Sequence, residues 1–395
     1  MRPLTSTSPA VDAPEPAEGW EAYRGRGYFP ELDGLRALSI LLVVAHHMHD
    51  KVWGWLNGPL GVTIFFVLSG YLITTLALRE ERTRGDLCFS AFYIRRSFRI
   101  FPAYYVTLGL YCLTILGLGI KPESRELLMR ALPYYLSYLQ EIPFFRGIGG
   151  NFNIPFVQSW SLGVEEKFYL VWPLLAFWIW RGDGRSRVSW TAALTVAFAA
   201  APALEYAGLG LLGRMIVPHS RILVGCLVAL LLDDPSGFGR LSFLGRGGWP
   251  WATTAVLVGL HVGISDGDPV GHASYAIACG TFLVGLLCGG GAIRRALAWA
   301  PLVALGRLSY GVYLLHFFGL NAAEKLVRPG SGRIEVAAVT LVLAWATSAA
   351  LAYALALVVE RPCIALGRRL SARAMEAHDR RRDRLSTGVS PRREL

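Results

Sequence analysis

Apolar residues run along this chain in about ten blocks of membrane-spanning length, separated by short polar or basic segments. Runs of about 18 or more residues with few charges mark helices that cross a bilayer. The pattern predicts helices near 36–54, 60–79, 101–120, 156–180, 190–208, 214–232, 250–265, 272–290, 302–321 and 335–358. A further apolar patch near 127–140 holds Arg130 and Pro133 and is too short to span comfortably, so it predicts an interfacial or re-entrant segment. The expected class is an all-α integral membrane protein with about ten transmembrane helices.

Composition agrees with the pattern, since 53% hydrophobic and only 17% charged residues exclude an ordinary soluble chain. With the N-terminus inside, the segments 79–99, 181–188, 233–248, 291–301 and the C-terminal tail fall on the same side and collect most of the 39 lysines and arginines. Basic residues gather on the cytoplasmic side, so both termini of a multi-pass protein are expected there. The net charge of +11 is then topological and needs no nucleic-acid partner. Residues 1–29, rich in Pro, Ser, Thr and Glu and without a signal-peptide core, are expected to form a disordered cytoplasmic tail. Residues 30–362 would form the membrane domain. Residues 363–395 would be a basic cytoplasmic tail, solvated or drawn to anionic lipid. The six cysteines show no CxxC spacing, so neither a disulfide framework nor a zinc site is expected.

Ionisable residues inside membrane helices are expensive and mark candidate sites. The first block, LDGLRALSILLVVAHHMHD, holds Arg36 and His47. Eleven residues on a helix place the two on one face, roughly 20° apart and roughly 16 Å along the axis. His46, His49 and Asp50 share another face at i, i+3, i+4 but lack the third ligand and carboxylate base of a zinc helix, so no metal is assigned. The imidazoles of this block can also serve as buried polar groups satisfied by neighbouring helices. A single neutral histidine suffices to accept a proton from an attacking hydroxyl, and His47 is the one aligned with Arg36.

Three further groups accompany this stripe. QSWSLGVEEKFYLVWP places Glu165 and Glu166 early in a helix, where the dipole favours carboxylates on structural grounds alone. At the outward end of that helix they are also placed to support a histidine, fixing its tautomer. FYIRRSFRIFP carries Arg95, Arg96 and Arg99 at i, i+1, i+4 before the third helix. They are either topology anchors or a phosphate clamp, because guanidinium forks match phosphate oxygens. LGRLSYGVYLLHFF places His316 about 14 residues into the ninth helix, close to the depth of His47, where a lone histidine is more often structural than chemical. Ser69, in GVTIFFVLSGYLIT, is a weaker candidate, since a serine beside glycine usually serves close packing.

The chain resembles bacterial membrane-bound acyltransferases of acyltransferase family three over about residues 30–362. The resemblance rests on Arg36 and His47 with ten residues between them, GVTIFFVLSGYLIT, FYIRRSFRIFPAYY with Arg96 and Arg99, WSLGVEEKFYLVWP, LSYGVYLLH and VVERP at Glu360. It implies a ten-helix domain that moves an acyl group, commonly acetyl, from cytosolic acyl-coenzyme A to a hydroxyl of a carbohydrate or other acceptor. No permanently bound cofactor is implied. By the same resemblance His47 matches the essential histidine, Arg36 its arginine partner, Arg96 and Arg99 the arginine pair, and Glu165 the regular glutamate, with Glu166 often also acidic. Ala37 stands where glycine is common, and Phe317–Phe318 where tryptophan–proline is common; both departures are expected to lie away from the chemistry. Many members also carry a fused esterase-like domain, which this sequence does not show. The expected function is a membrane O-acyltransferase with Arg36, Arg96 and Arg99 on the coenzyme A phosphates, His47 at the acyl group and Glu165 supporting it. The acceptor would be a glycan or glycolipid. The rival reading is a secondary transporter using the same residues as a proton relay or substrate site.

Overall fold

A computed structural model describes residues 16–48, 51–148, 154–182, 184–265, 268–327 and 333–386. The described residues form helices and connecting turns without a strand. In chain order the α-helices are α1 (Pro16–Gly25), α2 (Pro30–His46), α3 (Gly58–Arg84), α4 (Phe89–Cys112), α5 (Arg125–Leu136), α6 (Glu141–Phe145), α7 (Trp160–Leu174), α8 (Gly184–Ala199) and α9 (Gly210–Asp233). They continue as α10 (Pro235–Leu241), α11 (Trp249–Gly263), α12 (Pro269–Cys288), α13 (Gly291–Leu297), α14 (Ala300–Arg307), α15 (Ser309–Val327), α16 (Ile334–Leu355) and α17 (Arg361–Ser386).

Nine of the ten apolar blocks each overlap one of these helices and the block at 302–321 straddles α14 and α15, but not all meet the length and apolarity that a span requires. Five runs do: Val52–Arg84, Phe89–Gly117, Gly210–Asp233, Pro269–Cys288 and Ile334–Asp383. The pair α14–α15, bent by 77° at Leu308, makes a sixth if taken as one broken span. The others fall short for readable reasons. α2, α8 and α11 have 17, 16 and 15 residues, against the ~20 that an untilted span needs. α7 carries Glu165, Glu166 and Lys167 within its apolar run.

α2 differs from the hydropathy reading. The block at 36–54 was expected to be helical throughout, yet the helix runs from Pro30 and ends at His46, with His47 as its C-terminal cap. His49 and Asp50 lie outside the described residues. The start is set by Pro30 at the first helical positions and by Glu31 and Asp33 in the first turn, a favourable arrangement of missing N–H and negative charge. Glu31 is fully buried and pairs with Arg26 at 2.6 Å and Arg294 at 3.3 Å. Asp33 accepts from the Tyr28 hydroxyl at 2.5 Å and from Arg36 at 3.1 Å.

Close backbone approaches fix the helices around α2. A Cβ on Gly34 would overlap the Leu297 carbonyl, and one on Gly306 would overlap the Asp33 carbonyl, so α2 is pressed between α13 and α14. Gly70 meets the Ile222 carbonyl and Gly225 meets the Val67 carbonyl, a reciprocal contact that brings α3 and α9 backbone to backbone. Small residues serve this purpose where apolar solvent offers no hydrophobic drive. Two hydrophobic cores result, sharing α2, α3 and α9. One lies toward α4, α5, α7, α15 and α16, the other toward α1 and α10–α13.

The chain's ends also depart from expectation. Pro16–Gly25 is helical where the composition suggested an unstructured tail, with Tyr23 buried against Phe29 and Phe238. α17 replaces the expected solvated tail over 361–386. It docks on the start of α4 and the preceding turn through Arg84–Asp379, His378–Asp86 at 3.1 Å and Arg95 against Met375.

Candidate active site

α2 carries Arg36 near its start and His47 at its end, as the sequence spacing requires. Nδ1 of His47 lies 2.8 Å from the Val43 carbonyl oxygen. A carbonyl can only accept, so Nδ1 holds the proton and Nε2 keeps the lone pair of a base. The ring that meets His47 is His316 on α15, with centroids 5.0 Å apart, and Phe317 completes the contact at 4.9 Å. Phe317 was expected to lie away from the chemistry, but it forms a wall of the histidine pocket. His46 stands edge-on to His47 at 5.4 Å and packs against Gly58 at the start of α3.

Glu165 does not supply the support for His47 that was expected of it. Its carboxylate accepts from the Tyr169 hydroxyl at 2.9 Å, one helical turn along α7. Tyr169 in turn bonds Ser69 on α3, so Ser69 takes part in a polar chain rather than serving packing alone. Because the Tyr169 proton goes to Glu165, Ser69 must be the donor in that bond. The Arg96 guanidinium lies 4.4 Å over the Tyr169 ring, a cation–π contact.

These contacts assemble an internal patch of opposite charges. Arg36 and Arg96 are within electrostatic range of Glu165, and Arg99 is within range of Arg36, Arg96 and Glu360. Glu166 joins them through Arg96 and Glu165. Three guanidinium groups and three carboxylates, drawn from α2, α4, α7 and the π-turn Ala356–Glu360, are thus linked electrostatically, while the direct ion pair of Arg36 is with Asp33. Arg99 itself is solvent-exposed, while Arg36 and Arg96 are partly buried. Oε1 of Glu166 and Oε1 of Glu360 are buried without a hydrogen-bond partner among the described residues. Among the described residues, no group of three or more His, Cys, Asp or Glu could hold a metal ion.

Comparison with known proteins gives this arrangement of histidines and arginines along α2 a family. The acyltransferase-domain profile of acyltransferase family three matches residues 29–361. The chain belongs to this family. It is similar to the peptidoglycan O-acetyltransferase OatA of Listeria monocytogenes, at 38% identity over 165 residues, covering 39% of this chain and 25% of the relative. A Bacillus subtilis protein, YrhL, provisionally named a peptidoglycan O-acetyltransferase, is 28% identical over 317 residues, covering 73% of this chain and 48% of its own length. A provisionally named O-acetyltransferase of Staphylococcus aureus (strain COL) is 34% identical over 166 residues, covering 40% of this chain and 26% of the relative. The chain therefore spans between a quarter and about half the length of these relatives. No solved structure matches it.

Within this acyltransferase domain one expected donor residue is placed elsewhere. Arg95 pairs with Glu80 at 2.5 Å, and Glu80 also accepts the Cys88 backbone N–H at 3.0 Å. Arg95 therefore braces the turn between α3 and α4 and is separated from the arginine patch. Two members of the patch were not singled out as site residues from sequence. Tyr169 lies four residues beyond Glu165, the spacing that brings side chains together on a helix, and so was readable. Glu360 appeared only as part of a closing motif, and it comes within electrostatic range of Arg99 across 261 residues of chain.

Proposed function

We propose that the chain is a multi-pass membrane O-acyltransferase that moves an acyl group, acetyl in the first instance, from cytosolic acyl-coenzyme A to a hydroxyl on a cell-envelope glycan. The observation that carries the reading is the separation of roles along α2. Arg36, Arg96 and Arg99 share one electrostatic patch, while His47 presents a neutral base about 16 Å away, 11 residues along the helix. That interval suits a donor whose phosphates and thioester lie at opposite ends of an extended arm.

In this mechanism the arginines hold the phosphates, with bidentate geometry available to each fork. Glu165, Glu166 and Glu360 lie within electrostatic range of these arginines and offset their mutual repulsion before the donor binds. The acceptor oxygen attacks the thioester carbonyl as its proton passes to Nε2 of His47. The carbon–sulfur bond breaks, the proton reaches the sulfur, and an O-acyl ester and free coenzyme A thiol leave. The glycan acceptor is supported by the names of OatA and YrhL.

Ten membrane crossings with both termini in the cytoplasm complete the proposal, the shorter helices tilting or joining as broken spans. Single cysteines replacing Arg381 and Lys121, both exposed, should label from opposite faces of a sealed vesicle, Arg381 from the cytoplasmic one. Labelling from one face would overturn the topology.

The activity test uses purified protein in lipid nanodiscs with acetyl-coenzyme A and peptidoglycan fragments or simple glycosides. Free thiol and ester-linked acetyl are measured together. Equal appearance of both establishes transfer. Binding and movement of solute without thiol release would favour a carrier.

A further inference from the structure

At the end of α3 that the proposed topology puts in the cytoplasm, a second group of arginines gathers away from α4. Between that end and α1 lies a cleft of about 550 Å³, within the usual size of small-molecule sites. Its charged and aromatic lining is Trp20, Glu21, Arg24, Arg26, Arg79 and Arg82. Arg82 pairs with Asp233, and Arg26 with Glu31. Arg24 and Arg79 have no carboxylate ion-pair partner among the described residues. Arg24 lies 4.5 Å over the Trp20 ring, and Arg79 donates to the Arg26 and Gly27 carbonyls at 2.7 and 3.1 Å.

These guanidinium groups are crowded. Arg24 and Arg79 both lie within electrostatic range of Arg82. Arg26 and Arg79 share the Phe29 ring, at 4.3 and 5.5 Å from its centroid. Hydrogen bonding is as one-sided as charge. A guanidinium has five N–H groups; those of Arg24 meet no acceptor among the described residues, and Arg79 uses two. Nε1 of Trp20 and Nη1 of Arg26, on the same walls, are buried donors without a partner among the described residues. Among the described lining residues Glu21, exposed at the rim, is the one acid. Converging cations with spare donors are what a bound oxyanion completes. Topology anchoring requires positive charge at this depth, but not its convergence on one cleft.

We propose that this cleft is a phosphate-binding site, with Arg24 and Arg79 as its principal donors. It goes beyond the acyl-transfer reading, because holding a phosphate requires no reaction. Two sources present this chemistry here. One is the ribose 3′-phosphate of a coenzyme A whose diphosphate lies on Arg36, Arg96 and Arg99. Gly27 lines the cleft, the neighbouring Tyr28 donates to Asp33, and Asp33 accepts from Arg36 at 3.1 Å, so a short strip joins the cleft to Arg36. The other source is the phosphodiester of an anionic lipid. Arg79 lies 21 residues beyond Gly58, about 32 Å along α3, which is headgroup level for a hydrocarbon core of ~30 Å. Basic pockets on this side of a membrane suit such lipids.

The test uses Arg24→Gln and Glu21→Gln in nanodisc-embedded protein. At 24 the change removes the fork and its charge; at 21 it removes the acid of the lining. The nucleotide source is read in phosphatidylcholine discs as the affinity for coenzyme A relative to dephospho-coenzyme A. The lipid source is read by native mass spectrometry as retention of phosphatidylglycerol over phosphatidylcholine. A phosphate site requires that one of these preferences fall about 10–100-fold in Arg24→Gln and rise in Glu21→Gln. The preference that responds names the source. Opposite signs separate binding from a disturbed fold, which would lower both variants alike. The inference is overturned if neither preference falls in Arg24→Gln, or if Glu21→Gln fails to raise the one that does. Thiol release from acetyl-coenzyme A by the wild type is followed in the same discs. Its absence sinks the acyl-transfer reading, and the two preferences still decide the cleft.

Discussion

Arg95 and Arg96 are adjacent in the chain, yet one pairs with Glu80 at 2.5 Å and the other lies 4.4 Å over the ring of Tyr169. Consecutive residues on a helix point about 100° apart, so a run of basic residues necessarily divides between two surroundings. Here the division separates a brace of the α3–α4 turn from a member of the patch proposed to bind the donor. Arg95→Ala should lower thermal stability by about 1 kcal/mol or less, as for other partly exposed ion pairs, and leave acyl-coenzyme A affinity unchanged. Arg96→Ala should weaken that affinity. Calorimetry and thermal unfolding in the same detergent measure both, and equal affinity losses would place Arg95 back in the donor site.

Arg99 tests whether the patch binds phosphate through geometry or through charge. Arg99→Ala should cost about one to two decades in acyl-coenzyme A affinity, since hydrogen bonds to charged groups are worth about 1.5–3 kcal/mol. Arg99→Lys should restore only part of it, because the ammonium keeps the charge and loses the fork. Competition binding at fixed salt distinguishes the three proteins. Identical affinities would make these arginines topology anchors.

At the other end of α2, His47→Ala should reduce transfer by about 10²–10⁴-fold, the usual worth of a general base. His46→Ala should leave activity within a few fold, because His46 packs beside Gly58 rather than against His316. Rates at saturating donor are the measurement. Comparable losses at both positions would mean that the two rings act as a unit.

The crossing of α3 and α9 makes a prediction about folding. Gly70→Val should sharply reduce the yield of monodisperse protein, since even a Cβ would overlap the Ile222 carbonyl and overpacking costs about 1–3 kcal/mol or more. Gly259→Ala, at a glycine with open space around it, serves as the control. Size-exclusion profiles in detergent report the result.

Hydrophobic periodicity located ten helical segments, because long apolar runs leave few other ways to satisfy a backbone in lipid. It misplaced α2 by about two turns. The proline and acidic residues of FPELD form a helix start that a hydropathy window averages away. Arg36, Arg96 and Arg99 are brought together as expected, since helical spacing and side of the membrane are local properties. Arg95 is not, because its partner Glu80 belongs to the preceding helix and no periodicity records that pairing. The exchange of Glu165 for His316 beside His47 has the same origin. Depth along a helix is readable from residue number, but the face a neighbouring helix presents depends on packing. The basic composition of α17 suggested a solvated tail because the partners of its Asp379 and His378, Arg84 and Asp86, are almost 300 residues away.

The electrostatic influence of Glu360 on Arg99 also sets an order of events during biogenesis. A chain made from its N-terminus at about 5–20 residues per second carries Arg99 for roughly 13–50 s before Glu360 exists. Throughout that interval the guanidinium is held among membrane helices without this countercharge, at an energetic cost. The last helix emerges with Glu360 and then with the residues that clasp the turn before α4. A nascent or truncated chain therefore has its histidine early but no settled arginine patch. On the proposed reading the donor site is complete only when synthesis is almost finished, so a half-made chain would leave activated acyl groups untouched.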